Sequence, residues 1–180
     1  HDLWMVEVAT QKAERLTFSE VAEGSPQWSA DGRWIYFTAG YTRGKEAVVP
    51  YDGSTQVWRI APSGGEPTSV TRIKDGIGNY KLSKNGAAIY YTVSAKEYEN
   101  DEWKSLRKEH GDVEYGHGKF SKKELYRLDL ATWRTEKIYA EPRHIVAYDV
   151  SADEQSVALI TVRTDLLIHN EGQSEIHLLH

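Results

Sequence analysis

One pattern recurs three times along the chain, and its first copy reads Trp28-Ser29-Ala30-Asp31-Gly32-Arg33-Trp34-Ile35-Tyr36-Phe37-Thr38. The second copy, Leu82–Thr92, lies 54 residues later, and the third, Val150–Ile160, lies 122 residues after the first. Each copy consists of a short apolar strand, a polar turn and a second strand. Such a repeat is considered before any single element, because it sets the architecture of the whole chain.

The polar turns of the repeat carry a hairpin signal. Asp31-Gly32 in the first copy and Asn85-Gly86 in the second are typical of tight hairpins, because glycine, Asn and Asp tolerate the positive φ that such turns need. The third copy has Asp153-Glu154 at this place. Without a glycine, this turn is the least strongly predicted of the three.

A second repeated unit follows each hairpin, and in the first repeat it reads Gln56-Val57-Trp58-Arg59-Ile60. Its alternating pattern predicts a strand. A polar turn and a fourth strand such as Ser69–Thr71 come next. Related copies of the unit are Asp2–Val6, Glu124–Leu128 and Glu175–Leu179.

Four short antiparallel strands per repeat are typical of β-propeller blades. The repeats predict an all-β chain with complete blades at residues 24–73 and 78–139 and partial blades at residues 1–20 and 145–180. Closed propellers need at least about four complete blades. We therefore expect residues 1–180 to be a single propeller fragment that forms an open arc. A small, complete β-sandwich is the alternative.

Composition excludes several classes of function. The chain of 180 residues has 22 basic and 27 acidic side chains and a net charge of −5, which argues against a nucleic-acid partner. It contains no cysteine, which removes disulfides and thiol catalysis. No apolar run reaches the length of about 18 residues needed to cross a bilayer as a helix, so we expect no membrane span. The compartment stays open.

The usual catalytic and cofactor motifs are absent from the sequence. It has no nucleophile elbow, no phosphate-binding loop, no dinucleotide fingerprint and no paired-histidine zinc helix. His110 and His117 share a loop, but a metal site needs at least a third ligand at defined geometry. We therefore expect no catalytic residue, no metal and no other cofactor in this chain.

The connection between the second and third strands of a blade varies in length, and the longest spans residues 93–123. Loops carry function more often than the strands that position them. Residues 100–111 fit a short helix, and they fit a solvated charged loop equally well. The segment Glu114–Phe120 places His117 between two glycines beside aromatic rings, which indicates either a ligand contact or a simple returning turn.

The chain resembles a known family of repeats through Ser25–Phe37, Gln56–Ile60 and Gly64–Pro67. These segments look like the propeller repeat of TolB and of the prolyl oligopeptidase family of serine peptidases. The second blade is similar to the propellers of bacterial dipeptidyl-peptidases or acylaminoacyl-peptidases. The segments that carry this second likeness are Glu102–Arg107, Glu114–Gly118 and Glu124–Leu130.

The resemblance implies a non-catalytic propeller portion of a serine peptidase. In that family an α/β-hydrolase domain follows the propeller and carries the catalytic serine, aspartate and histidine, so none of those roles falls on a residue of this chain. The propeller would gate or shape the access of peptide substrates to that domain. The loops expected to face the hydrolase domain or the peptide contain Tyr51, Trp103, Tyr115 and His117.

Two other functions remain open on the sequence alone. One is a stand-alone module of the TolB kind, which acts through protein–protein contacts. The other is a lectin-like or small-ligand propeller, which the many aromatic residues would suit. Under any of these hypotheses the end blades of an open arc expose unpaired strand edges, so we expect a second copy of the chain as a further possible partner.

Overall fold

The computed structural model describes residues 1–45, 47–95, 108–110, 122–139, 141, 143–162 and 173–180. In these residues the chain is all-β apart from a helical turn at 108–110. The chain divides into two compact units. The first comprises His1–Tyr91 and Arg127–Thr135, and the second comprises Thr92–Tyr126 and Glu136–His180.

The strands form four separate antiparallel sheets, and in each sheet they are neighbours in chain order. The two-stranded sheet contains β1 (Trp4–Val6) and β2 (Ala13–Arg15). The first four-stranded sheet contains β3 (Glu23–Trp28), β4 (Ile35–Ala39), β5 (Gln56–Ile60) and β6 (Thr68–Ser69). The second contains β7 (Tyr80–Leu82), β8 (Ala88–Ser94), β9 (Lys123–Asp129) and β10 (Thr135–Tyr139). The three-stranded sheet contains β11 (Ile145–Val150), β12 (Val157–Val162) and β13 (Ser174–Leu179).

The predicted fold class is confirmed: two four-stranded sheets and two smaller ones, with no closed barrel among the described strands. The fourth strand of the first complete sheet is shorter than the predicted Ser69–Thr71. It ends at Ser69 because the backbone N–H groups of Val70 and Thr71 both donate to the carbonyl oxygen of Val57, at 2.8 and 3.3 Å. The regular ladder is interrupted at this carbonyl, because one acceptor takes two successive donors.

Both faces of the first four-stranded sheet are covered, so β4 and β5 are buried almost throughout. Trp58 and Ile60 lie opposite Phe37 and Ile35 on one face, where they pack with residues of the two-stranded sheet. Arg59 lies opposite Tyr36 on the other face. The alternation of the repeated third strand thus separates an apolar face from a face that carries an arginine.

A buried carboxylate connects the two-stranded sheet to the first four-stranded sheet. One oxygen of Glu23 accepts hydrogen bonds from the backbone N–H of Leu3, at 3.1 Å, and from the Thr17 hydroxyl. The other accepts from the hydroxyls of Tyr41, at 2.5 Å, and Ser19, at 3.1 Å. Burial and the Glu23 contact raise the pKa of the Tyr41 phenol. Four donors compensate the burial of this charge, which makes Glu23 a structural link.

The first four-stranded sheet is tied to the second by a side-chain amide. Gln27 on β3 donates to the carbonyl of Tyr80, at 3.3 Å, and accepts from the backbone N–H of Leu82, at 3.0 Å. The Tyr80 hydroxyl in turn donates to the carbonyl of Ser25, at 2.8 Å. The amide therefore pairs with the backbone of β7 as a neighbouring strand would.

The hairpin turn of the first copy is held by a serine and an aspartate. The Ser29 hydroxyl donates to Asp31 Oδ1, at 2.7 Å, and accepts from the backbone N–H of Trp34, at 2.9 Å. The backbone N–H of Arg33 also donates to Asp31 Oδ1, at 3.0 Å. Gly32 follows with a φ of 68° and donates its N–H to the carbonyl of Ser29, at 2.9 Å. Because positive φ occurs only at this fourth position, the turn is not the two-residue hairpin that needs two such residues.

The other two copies repeat the same bonds. The hydroxyl–Oδ1 distance is 2.8 Å between Ser83 and Asn85 and 2.6 Å between Ser151 and Asp153. At the position of the glycine, the third copy has Glu154 with a φ of 58°. The turn that was least strongly predicted is therefore present, and the Ser–Asp pair holds a non-glycine residue in the left-handed region.

These turns link stability to pH. The Ser29 hydroxyl is the main cause that holds the pKa of Asp31 well below its usual range, and the Ser151 hydroxyl likewise lowers the pKa of Asp153. A lowered pKa in the folded state means that the carboxylate stabilises the fold fully above its unfolded pKa of about 4. That contribution is lost as the pH falls through the lower, folded value. Asn85 makes the same bonds without a titrating group.

We expect a chain with Asp31→Asn and Asp153→Asn to lose less unfolding free energy than the wild type between about pH 5 and pH 2, because Asn keeps the acceptor oxygen and cannot be protonated. Urea unfolding at a series of pH values measures this difference. The control Asn85→Asp should steepen the acid dependence. Equal pH slopes for the double variant and the wild type would show that these turns do not couple to protonation.

Replacing Glu154 by glycine should stabilise the chain by about 0.5–1 kcal/mol, because it removes a side chain from the left-handed region at the cost of some unfolded-state entropy. The opposite swap in the first copy, Gly32→Ala, should destabilise by about 1 kcal/mol. A Cβ at Gly32 would meet nothing within 4 Å, so backbone conformation alone sets its effect. Urea midpoints that shift in the same direction for both variants would contradict this account.

Candidate functional site

Tyr51 is the one sequence-predicted site residue that the structure describes. It lies half-buried between β4 and β5, with its ring centroid 5.3 Å from that of Trp58. The guanidinium carbon of Arg43 lies 4.7 Å from the Tyr51 ring centroid. The backbone at Gly40, before Tyr51, lies close to the backbone at Gly53, after it. A Cβ at Gly40 would lie 2.4 Å from the carbonyl oxygen of Gly53. Packing against Trp58 fixes Tyr51, and its proposed contact with a peptide or a domain stays a prediction.

The other three predicted site residues, Trp103, Tyr115 and His117, lie outside the described residues. Within the predicted helix at 100–111, the described residues 108–110 are helical. The arrangement of the four candidates relative to one another therefore stays a prediction.

A different feature of the first unit has the form of a binding site. It is an open groove of about 450 Å³, which falls within the usual size range of ligand pockets. We call it the Arg59 groove. Its lining residues are Arg59, Thr68, Ser69, Val70, Thr71, Arg72, Ile73, Tyr91, Leu128, Trp133 and Thr135.

The guanidinium of Arg59 lies beside two indole rings. Its central carbon is 4.5 Å from the ring centroid of Trp34 and 5.9 Å from that of Trp133. Such cation–π contacts are each worth about 0.5–2 kcal/mol, depending on how far they are desolvated. The Nε atom is buried and has no hydrogen-bond partner among the described residues. Arg59 is thus held by ring faces rather than by an acid.

The repeat shows why this arginine differs from its equivalent in the next sheet. Arg127 occupies the same place in the second copy of the unit, and its guanidinium lies 3.6 Å from a carboxylate oxygen of Asp129, two residues further on. Two residues after Arg59 the chain has Ala61. The first copy therefore lacks the local acid that pairs with the arginine of the second.

Trp133 is held in a backbone conformation that is unusual for an aromatic residue. Its φ is 58°, and its side chain is 48% exposed. The turn is fixed by Asp129, whose Oδ1 accepts from the backbone N–H of Ala131, at 3.1 Å, and of Thr132, at 2.8 Å. Left-handed conformations of bulky residues cost energy and concentrate at functional sites. Here the conformation accompanies the placement of an exposed indole beside Arg59.

Gln56 fixes one wall of the groove, which is formed by Thr71 and Ile73 in the segment after β6. Its side-chain oxygen accepts from the Thr71 hydroxyl, at 2.8 Å, and from the backbone N–H of Ile73, at 3.0 Å. Its amide nitrogen donates to the carbonyl of Ile73, at 2.7 Å, and to the Ser54 hydroxyl, at 2.9 Å. Gln56 is fully buried. Because all of its polar capacity is used, the segment of Thr71 and Ile73 has one defined position.

The Arg59 groove is electropositive. Its described lining residues include two arginines, Arg59 and the exposed Arg72, and no Asp or Glu. This contrasts with the net charge of −5 for the whole chain. Sequence reasoning did not find this site, because the indoles that flank Arg59 are distant in sequence. The sequence did contain one signal for the site: two residues after the arginine, the second copy of the repeated strand has Asp129, whereas the first copy has Ala61.

Two searches of the described part of the chain bear on other classes of site. No group of three or more His, Cys, Asp or Glu residues there has the geometry to hold a metal ion. None of the helical segments described is long and apolar enough to cross a membrane.

Comparison with known proteins places the fold. No family model matches the chain. Over 74 residues it is 34% identical to an uncharacterized protein of Agrobacterium fabrum, a match that covers 41% of this chain and 21% of that protein. TolB from Acinetobacter baumannii has a TM-score of 0.60 at 14% identity and covers 98% of this chain and 34% of its own.

Two peptidase structures are similar in the same way. An acylaminoacyl peptidase from Pyrococcus horikoshii has a TM-score of 0.60 at 11% identity, covering 98% of this chain and 26% of its own. The β-propeller domain of the Trilobed protease from Pyrococcus furiosus has a TM-score of 0.52 at 11% identity, covering 88% of this chain and 38% of its own. The fold of this chain is thus that of a β-propeller segment, with TolB-like and peptidase propellers as structural neighbours. The chain spans 21% of the curated relative and at most 38% of these three structures.

Replacing Gln56 by leucine should lower the free energy of unfolding by about 2–4 kcal/mol, because it removes the acceptor of both the Thr71 hydroxyl proton and the Ile73 backbone N–H. Amide hydrogen exchange at Ile73 should also accelerate, since its acceptor is lost. The control Gln155→Leu, on an exposed turn, should change stability by less than about 0.5 kcal/mol. Unchanged exchange at Ile73 in the Gln56 variant would show that another group holds this wall.

Proposed function

We propose that this chain is the non-catalytic propeller portion of a serine peptidase, in which it shapes the access of peptides to a hydrolase domain outside these 180 residues. The observation that supports a place within a larger propeller is the exposed apolar surface of the two smaller sheets. Ile176 is 79% exposed and Leu178 is 58% exposed on β13, and Trp4 is 60% exposed on β1. Apolar sheet faces of this kind pack against neighbouring blades in a propeller.

The three-stranded sheet presents this surface as a continuous face. Ile176 lies opposite Ile160, and Leu178 lies opposite Ala158, so that these four side chains share one side of the sheet. All four are exposed. We propose that a further blade of the same propeller covers this face, and that in the isolated chain a second copy can take its place.

The peptidase assignment draws on two further points. The acylaminoacyl peptidase of Pyrococcus horikoshii covers 98% of this chain at a TM-score of 0.60, which makes a peptidase propeller a suitable parent for the segment. The sequence of this chain carries no motif for a catalytic nucleophile. Any hydrolysis would therefore be performed by a separate domain, and the propeller would select substrates by size.

A TolB-like module that acts only through protein contacts is the second candidate function. It is favoured by the TolB structure from Acinetobacter baumannii, which covers 98% of this chain at an equal TM-score of 0.60. The two candidates differ in whether the gene product contains a reactive serine.

Labelling of the complete gene product with a fluorophosphonate probe separates the two functions. We expect a single labelled serine outside these 180 residues, together with hydrolysis of a short chromogenic peptide and not of the same sequence within a folded protein. The 180-residue chain alone should neither be labelled nor hydrolyse the peptide. A complete gene product without a reactive serine would overturn the peptidase proposal and favour the TolB-like module.

A further inference from the structure

We propose that the Arg59 groove is a binding site for a carboxylate group carried by an extended peptide. The site does not depend on the proposed peptidase function, because its described lining residues all belong to the first compact unit of this chain. Tyr51 is not one of these lining residues.

The first argument for an anionic ligand is the state of Arg59. Its positive charge is partly removed from water, with a buried Nε that donates to no described acceptor. Two indole faces compensate this charge less completely than a carboxylate does. A carboxylate that reaches the outer nitrogen atoms of the guanidinium from the groove would supply the missing counter-charge. Arg127, in the equivalent position, already has such a partner in Asp129.

The second argument is the charge of the whole lining. Arg72 lies on the same groove and forms no hydrogen bond or ion pair with a described residue, and the described lining residues include no carboxylate. Two guanidinium groups without a described acidic partner in one groove create a local positive potential on a protein of net negative charge. Carboxylates are the side-chain and terminal groups of peptides that match this potential.

The form of the groove favours an extended peptide over a small free acid. The groove runs along Thr68 and Ser69, which form β6, the edge strand of the first four-stranded sheet. An edge strand offers backbone donors and acceptors to an added strand, while pockets beside it select alternate side chains. The exposed indole of Trp133 provides an apolar surface on the opposite wall for a neighbouring side chain.

Three peptides, two with an amidated C-terminus and one with a free C-terminal carboxylate, test the proposal on the full 180-residue chain. The first is acetyl-Thr-Val-Glu-Val-Thr-amide, the second replaces Glu by Gln, and the third is the Gln peptide with a free C-terminal carboxylate. Titration calorimetry gives the affinities, and the side-chain Nε–H resonance of Arg59, assigned from the Arg59→Gln spectrum, reports on the site. We expect the wild type to bind at least one carboxylate peptide about tenfold more tightly than the neutral one, with a shift of the Arg59 resonance.

The variants then locate the binding. Arg59→Gln should bring the ratio of carboxylate to neutral affinity close to one, and Arg127→Gln should keep the wild-type ratio because that arginine is already paired. Binding of the Glu peptide identifies a side-chain carboxylate as the ligand, and binding of the free-acid peptide alone identifies a chain terminus. The proposal is overturned if the wild type does not discriminate, if Arg59→Gln discriminates as well as the wild type, or if both arginine variants lose discrimination equally.

Two further variants keep the test decisive if Arg59→Gln does not fold. Arg72→Gln changes an exposed side chain, and Trp133→Gly removes the indole while relieving its positive φ, so both should fold. Arg72→Gln should reduce discrimination several-fold, and Trp133→Gly should weaken binding of the carboxylate and the neutral peptide alike by several-fold. Wild-type discrimination in the first variant together with wild-type affinity in the second would overturn the proposal.

Discussion

The side-chain amide of Gln56 makes up for the shortness of the strand at the edge of its sheet. β6 has only two residues, so the backbone polar groups that follow it need partners outside the regular ladder. Gln56 satisfies those of Ile73 on both sides, while the Thr71 hydroxyl accepts from the backbone N–H of Val57, at 2.8 Å. Gln27 plays a similar part between β3 and β7. In the two four-stranded sheets, glutamine side-chain amides thus bond backbone groups that the regular strand ladder does not reach.

The Arg59 groove follows from this construction. Gln56 fixes one wall, and the turn held by Asp129 fixes Trp133 on the other. Between them Arg59 projects from the sheet face that faces away from the core cluster of Trp58. The arginine in the equivalent place of the second copy, Arg127, is paired with Asp129 at the end of its own strand. The substitution of Ala61 at the paired position leaves the charge for an external ligand.

Sequence analysis predicted the parts of the molecule that depend on neighbours along the chain. The turns around Asp31 and Asn85 are fixed by hydrogen bonds within six residues, so the local sequence was enough to predict them. The strands on either side were predicted from the alternation of apolar and polar residues. The turn at Glu154 was weakly predicted because the prediction relied on glycine, whereas the Ser151–Asp153 pair holds it. Arg59 and Trp133 are far apart in sequence, so no local sequence pattern predicts the contact between them.

The candidate site residues that the sequence predicted were all taken from loops. Tyr51 was chosen as a loop aromatic, and its half-buried ring packs against Trp58 of the core cluster, so it serves packing whether or not it also contacts a partner. The loop argument could not distinguish these, because the sequence does not reveal how far a connection folds back on its own sheet.

The locality of the serine–aspartate turns has a consequence for the order of folding. Every bond of the turn at Ser29 closes a loop of at most six residues, so this turn can form on its own within microseconds. The Gln27–Tyr80 contact spans 53 residues and requires two hairpins to be present already. Each of the three sheets that contain this turn can therefore carry its own folding nucleus, and such a sheet can be gained or lost without removing the nucleus of another.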